Sequence, residues 1–247
     1  MVENDYNAVS EFYDHVYYKE NTHSDALERH YINLAKKINI KPGEKLLDIA
    51  CGTGHWLKAA AIFGADVHGV DISARAVEIC RKRLPGAAIE VGIAENLPFP
   101  DTYFDTITCL GSLEHFLDQP KAIQEMVRVA KPTAQFLILV PNSGFLTYRL
   151  GLFKGTQQQA VKETIRSLDE WKTLFNHEGL IVEKCWADHH VFSKNWIVRK
   201  PYTMILPRLI QALLLLIWPL GWQYQVFHWC RLKNNLTLKK ANRRPGQ

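Results

Sequence analysis

The run Lys45 to Ala50 reads as a strand that ends in Cys51-Gly52-Thr53-Gly54, and His55 to Phe63 reads as the helix that follows. Two glycines at such a turn let a ligand approach the main chain, and the first helical turn offers it backbone N–H groups. Asp48 lies inside the run, and a second acid, Asp71, ends the next one, Val67 to Asp71. A carboxylate at that strand end is placed to accept hydrogen bonds from both hydroxyls of a ribose. The pair therefore suits a ligand that carries an adenosine. A dinucleotide fingerprint would want a small residue three positions after Gly54, where Leu57 stands, so a nicotinamide cofactor is disfavoured. His115, just past the run Phe104 to Leu110, has the titration range for moving a proton.

These residues need a scaffold, and the hydrophobic pattern provides one. Further strands are expected at Ala88 to Val91, Gln135 to Val140, Leu180 to Trp186 and Gln225 to Leu232, with helices at Ala74 to Leu84, Pro120 to Ala130 and Leu168 to His177. Strand and helix alternating in short steps mean an α/β fold with a parallel sheet and right-handed crossovers. Residues 1–40 read as a helical cap rich in tyrosine, 41–187 as the core, and 188–247 as an apolar and basic insertion with the last strand and a tail.

The combined motifs resemble the class I S-adenosylmethionine-dependent methyltransferases, in particular a methyltransferase type 11-like domain of the small quinone and lipid biosynthesis branch. The resemblance covers about residues 40–187 and rests on Asp48-x-x-x-Gly52-x-Gly54, Asp71, the segment Gly92-Ile93-Ala94-Glu95-Asn96-Leu97-Pro98-Phe99, and Phe104 to His115. It implies a Rossmann-like fold: a mostly parallel seven-stranded sheet with an antiparallel last strand and helices on both faces. It also implies S-adenosylmethionine as cofactor, with Asp48, Ala50, Cys51, Gly52 and Gly54 at its methionine end and Asp71 and Ile72 at its ribose. Ala94 and Glu95 would lie at the adenine, Leu110 beside the methyl donor, and Tyr13 in a helix that closes over the site. Ile93 replaces the family's adenine-binding Asp. Some quinone O-methyltransferases carry a metal-binding Glu-x-x-Glu-His here; Gly111 replaces its first Glu, so no metal site is expected. Lys131-Pro132-Thr133-Ala134 stands where the family has a turn before the fifth strand.

Methyl transfer is an in-line displacement, and a hydroxyl acceptor must lose its proton, a task for which His115 is the candidate base. His189-His190 would be a solvated loop or a further polar group.

The chain has 247 residues and a formal net charge of +5, with all 25 acids before residue 189 and ten bases without an acid after it. Leu206, Leu209, Ile210, Leu213, Leu214 and Ile217 fall on one helical face, with Arg199, Lys200 and Arg208 before them and Trp218 and Trp222 after. Together with Lys239, Lys240, Arg243 and Arg244, that pattern reads as an interfacial helix over about 199–222 that meets a membrane surface rather than crosses it. A lid over the site or a homodimer contact is the competing reading. A second apolar flap, Phe145 to Lys154, points to a hydrophobic or lipid-like substrate. The five cysteines form no CxxC pair, the first residues carry no secretory signal, and the expected location is cytoplasmic, peripheral on the membrane. Nucleic acid is not an expected partner, since the basic residues adjoin leucines rather than stacking aromatics. The sequence thus reads as an O-methyltransferase of a hydrophobic small molecule. A methyltransferase of a soluble saccharide or metabolite, and a non-catalytic cofactor-binding scaffold, stand as alternatives.

Overall fold

A computed structural model describes residues 2–18, 29–149, 163–188, 197–198 and 201–233. The N-terminal segment is a helix, α1 (Val2–Phe12), that runs into a π-helical turn over Tyr13–Tyr17, and α2 (Arg29–Ile38) follows. Then come β1 (Lys45–Ile49), α3 (His55–Ile62), β2 (Asp66–Asp71), α4 (Ala74–Arg83), β3 (Ala88–Val91) and β4 (Phe104–Leu110). The second half holds α5 (Gln119–Val129), β5 (Ala130–Pro141), α6 (Leu168–His177), β6 (Leu180–Ala187), α7 (Ile205–Ile217) and β7 (Gln225–Leu232).

The seven strands form one sheet in the order β3-β2-β1-β4-β5-β7-β6. β7 runs antiparallel to both neighbours and the remaining ladders are parallel, as the motifs imply. Because β7 slots between β5 and β6, Gln225–Leu232 completes the core sheet. The sheet is covered on both faces. Trp171 and Phe175 of α6 and Ile123 and Met126 of α5 bury one side, while Leu34 and Ala35 of α2, Trp56 and Leu57 of α3 and Cys80 of α4 bury the other. That is why β1 and β4 are buried along most of their length and not only at alternate residues.

The fifth strand differs from expectation. It begins at Ala130 and keeps going through Lys131-Pro132-Thr133-Ala134, where a turn was expected. Between the pairs Phe104↔Ala130 and Thr106↔Gln135, β4 advances two residues while β5 advances five. This bulge accommodates Pro132, which has no N–H for a regular ladder, and Lys131 anchors it by donating to both carboxylate oxygens of Asp105 at 2.8 and 2.7 Å.

The order of strands reverses between β1 and β4, the switch point beyond whose carboxyl ends such sheets bind ligands. Among the described residues no helix is long and apolar enough to cross a membrane.

Candidate active site

A cavity of about 570 Å³ opens at that switch point. Asp48, Ala50, Cys51, Gly52, Asp71, Ile72, Ala94, Glu95, Leu110, Tyr13 and His115 all line it. Gly54 does not. It starts α3 in the left-handed region (φ 78°), and a Cβ there would stand 2.4 Å from Cys80 Sγ. A glycine here lets α3 pack closely on α4.

Ala50 and Gly52 share the left-handed conformation (φ 56° and 53°), so the turn winds tightly enough to aim the Gly52 N–H at Asp71. Asp71 Oδ2 accepts that N–H at 2.7 Å and Oδ1 accepts the Ser73 N–H at 2.9 Å. The helix cap is Ser73, whose hydroxyl accepts the Ala76 N–H at 3.0 Å. Asp71 is therefore not spent on capping, and each carboxylate oxygen keeps a lone pair for a ligand hydroxyl. Asp48 lies behind the turn. Trp56 Nε1–H donates to Thr108 Oγ1 at 3.0 Å, and the Thr108 hydroxyl donates to Asp48 Oδ1 at 2.6 Å.

Both acids are buried, and among the described residues no cation offsets their charge. Burial pushes Asp48 up to about 8, against the pull of the Thr108 hydrogen bond, and the nearby Asp71 adds to the rise. Burial likewise raises Asp71 to about 6, against its two backbone hydrogen bonds. Carboxyl groups held this way are compensated by a ligand that brings positive charge. S-adenosylmethionine, with an ammonium, a sulfonium and a ribose diol, has that chemistry, and the residues present fit it.

The N-terminal segment closes the cavity. Tyr6, Val9, Tyr13, Tyr17 and Tyr18 line it, and a Cβ on Gly52 would stand 2.9 Å from the Tyr18 hydroxyl. Ser10 Oγ donates to the Ile72 carbonyl at 3.1 Å, Ser73 Oγ donates to Asp14, and the Arg75 N–H reaches the same carboxylate at 3.2 Å. Burial and then the charge of Asp71 raise the Tyr13 and Tyr18 phenols, so both stay protonated as donors. At the opposite end Glu95 accepts the Asp118 N–H at 3.1 Å, and it helps to push Tyr6 up to about 12, after burial. Tyr6, Asp14, Trp56 and Thr108 were not singled out from sequence as site residues; the density of tyrosines near the start and the resemblance hinted at the lid.

Beyond Leu110, the backbone turns at Gly111 (φ 72°) into a single 3-10 turn over Leu113–His115, which sets His115 on the cavity wall. Glu114 is buried beside it, and burial raises its carboxyl to about 8. A residue far along the chain joins them: the ligand-type atoms of Glu114, His115 and Glu163 all lie within 4.8 Å of one another.

Among the described residues, none of α7 lines the cavity. Among the described residues of that helix none closes over the cavity as a lid: Ala212 is buried, while Leu206, Leu213, Leu216 and Ile217 are 61–79% exposed. Phe145 packs on Tyr224 at 4.7 Å, but Leu150, Leu152, Phe153 and Lys154 of the second flap lie outside the described residues. So do His189, His190, Arg199, Lys200 and the basic tail.

The methyltransferase domain family matches residues 47–138, from β1 through β5, which includes the Gly52 turn, Asp71 and His115. Among curated proteins, the chain is 31% identical over 156 residues to the uncharacterized methyltransferase YcgJ of Bacillus subtilis, a match covering 60% of this chain and 61% of that one. It is 39% identical over 108 residues to a ubiquinone/menaquinone biosynthesis C-methyltransferase of Burkholderia mallei, covering 41% of this chain and 44% of the relative. The matches thus span less than two thirds of these relatives. In fold, the chain resembles an S-adenosylmethionine-dependent methyltransferase from Mesorhizobium loti with a TM-score of 0.62 at 16% identity, over 83% of this chain and all of that one.

Proposed function

We propose that this protein transfers a methyl group from S-adenosylmethionine to a hydrophobic, lipid-like small molecule. The observation that carries the reading is the cavity wall itself, where Asp48, Gly52 and Asp71 converge under a tyrosine lid at the switch point of the sheet. The cofactor supplies an electrophilic methyl group. Asp71 would hold the ribose hydroxyls, Asp48 and the Gly52 turn the methionine end, Ile72, Ala94 and Glu95 the adenosine, and Leu110 the wall beside the reacting carbon. Tyr13 and Tyr18 exclude water, which a displacement at a sulfonium requires.

His115 stands where the acceptor would lie, and its role on this reading is to relieve the acceptor hydroxyl of its proton. Oxygen is the acceptor atom this favours. Ring carbon is the second reading, supported by the relative named as a C-methyltransferase; loss of a phenolic proton activates an adjacent carbon as well as the oxygen.

The exposed face of α7 is, on the same reading, a contact with a membrane surface, through which a greasy acceptor enters. The support is an apolar helix whose large side chains are left in water, in a region with ten bases and no acid. The test is to incubate the protein with methyl-labelled S-adenosylmethionine and whole-cell extract and partition the products. Label in organic solvent supports the proposal, and mass spectra of that product separate O- from C-methylation. Label confined to water overturns the lipid-like acceptor, and no label together with no cofactor binding overturns methyl transfer. Sedimentation with anionic vesicles tests the surface contact, and sedimentation of a stable dimer without vesicle binding would turn α7 into a subunit contact.

A further inference from the structure

We propose that Glu114, His115 and Glu163 hold a divalent first-row metal ion, Zn²⁺ or Mn²⁺, at the acceptor end of the cavity. Gly111 removes the first ligand of the Glu-x-x-Glu-His arrangement, and Glu163 brings a carboxylate to the cluster from another part of the chain.

Glu163 sits on a fixed segment. The Thr164 N–H donates to the Glu114 carbonyl at 2.9 Å, which stitches the two carboxylate-bearing residues together through the backbone. Asn142 and Arg166 form a parallel bridge, the Ser143 N–H donates to the Arg166 carbonyl at 2.9 Å, and the Arg166 guanidinium donates twice to Gln119 Oε1 at 3.1 and 3.0 Å. Residues 163–166 are thereby tied both to the Glu114 turn and to the end of β5.

The three ligand-type atoms lie within 4.8 Å of one another. Around a tetrahedral ion with bonds of about 2.0–2.2 Å, donors stand about 3.4 Å apart, so small side-chain rotations close the set. A second observation points to a ligand. Glu114 is 3% exposed, and its Oε2, fully buried, has no hydrogen-bond partner. A buried carboxylate oxygen without a donor is costly, and a second carboxylate beside it adds repulsion; a dication removes both costs. One imidazole and two carboxylates suit Zn²⁺ or Mn²⁺ better than the all-oxygen shells of Mg²⁺ and Ca²⁺ or the thiolate shell of Cu⁺.

Three protein ligands leave an open coordination position. His115 lines the cavity, so that position faces the acceptor. This part rests on the methyl-transfer reading: a hydroxyl of the acceptor coordinated there would lose its proton to solvent more readily, because the ion lowers its pKa. His115 would then relieve the acceptor of its proton by holding the ion rather than by taking the proton itself.

The experiment is to strip the full chain with a chelator and titrate it with Mn²⁺ alone, following the loss of the free-ion resonance signal, and with Zn²⁺ against a competing chromophoric chelator. One tight equivalent is expected, weakened at least tenfold in Glu163→Gln and in Glu114→Gln, with circular dichroism and S-adenosylmethionine binding unchanged. No binding of either ion by the unaltered protein would overturn the site. Equal binding by Glu163→Gln would overturn the assignment of Glu163. Metal bound without any cofactor binding would leave this inference standing and remove the methyl-transfer reading, so the two fail separately.

Discussion

Each end of the cavity has a pair of acids beside it, Asp48 with Asp71 and Glu114 with the half-buried Glu163, yet the two pairs are built in opposite ways. Asp48 and Asp71 lie on neighbouring parallel strands, and a single glycine turn links them. Glu114 and Glu163 come from a 3-10 turn and a distant loop, held together by one backbone hydrogen bond and a short bridge. A carboxylate on a strand end inherits its position from the whole sheet, whereas one on a loop depends on a few local contacts. The first end should therefore resist change unless its turn is broken. The second should respond to single substitutions without loss of fold.

The largest effect is expected where the turn meets the core. Gly54→Val would place a branched side chain in the left-handed region against Cys80 and cost about 3 kcal/mol or more, read as a shift in the urea midpoint. His115→Ala should slow methyl transfer about 10²-fold with the midpoint nearly unchanged, and full activity in that variant would reduce the loop-built end to packing. Asp71→Asn, which keeps one acceptor for the turn, should weaken cofactor binding about tenfold by calorimetry; unchanged affinity would remove the ribose assignment.

Proton linkage distinguishes the free protein from the loaded one. Asp48, Asp71 and Glu114 all have folded values raised above their unfolded ones, so the protein binds more protons folded than unfolded. Stability of the free protein should fall as pH rises from about 4 to about 8. Cationic ligands reverse the penalty, so cofactor affinity should rise over pH 6 to 8 with release of protons, seen by calorimetry in buffers of different ionisation enthalpy. Affinity independent of pH would show that the two acids are already compensated. The smallest effect is expected on α7: Leu213→Gln should change stability by less than about 0.5 kcal/mol, because the side chain is 65% exposed, while weakening vesicle binding. A large loss of stability would mean that the helix is packed in the free protein.

Much of the strand-built end was legible in the sequence. Short apolar runs and a Gly-x-Gly turn locate Asp48, Gly52 and Asp71 because strand direction and turn geometry are local properties. The packing role of Gly54 was not legible, since its close contact is with a sulfur on the next helix. Pro132 suggested a turn where a bulge lets the strand continue. The loop-built end was half legible: Glu114 and His115 adjoin a strand, but nothing in the sequence near Glu163 announces its neighbours. The tyrosine lid was visible as composition, while the π-helical turn that directs Tyr13, Tyr17 and Tyr18 depends on contacts with Asp71 and Ser73 across the chain.

The position of β7 affects how the molecule comes into being. On the ribosome β5 and β6 emerge first and cannot pair with each other in their final places, since the strand that separates them is made later. Until residues 225–232 arrive, each presents an open backbone edge, and such edges recruit strands from other chains. A nascent chain stalled after α7 would therefore be a substrate for chaperones or a seed for aggregation, and a stop codon there should yield insoluble protein even though every motif of the cofactor end is already present.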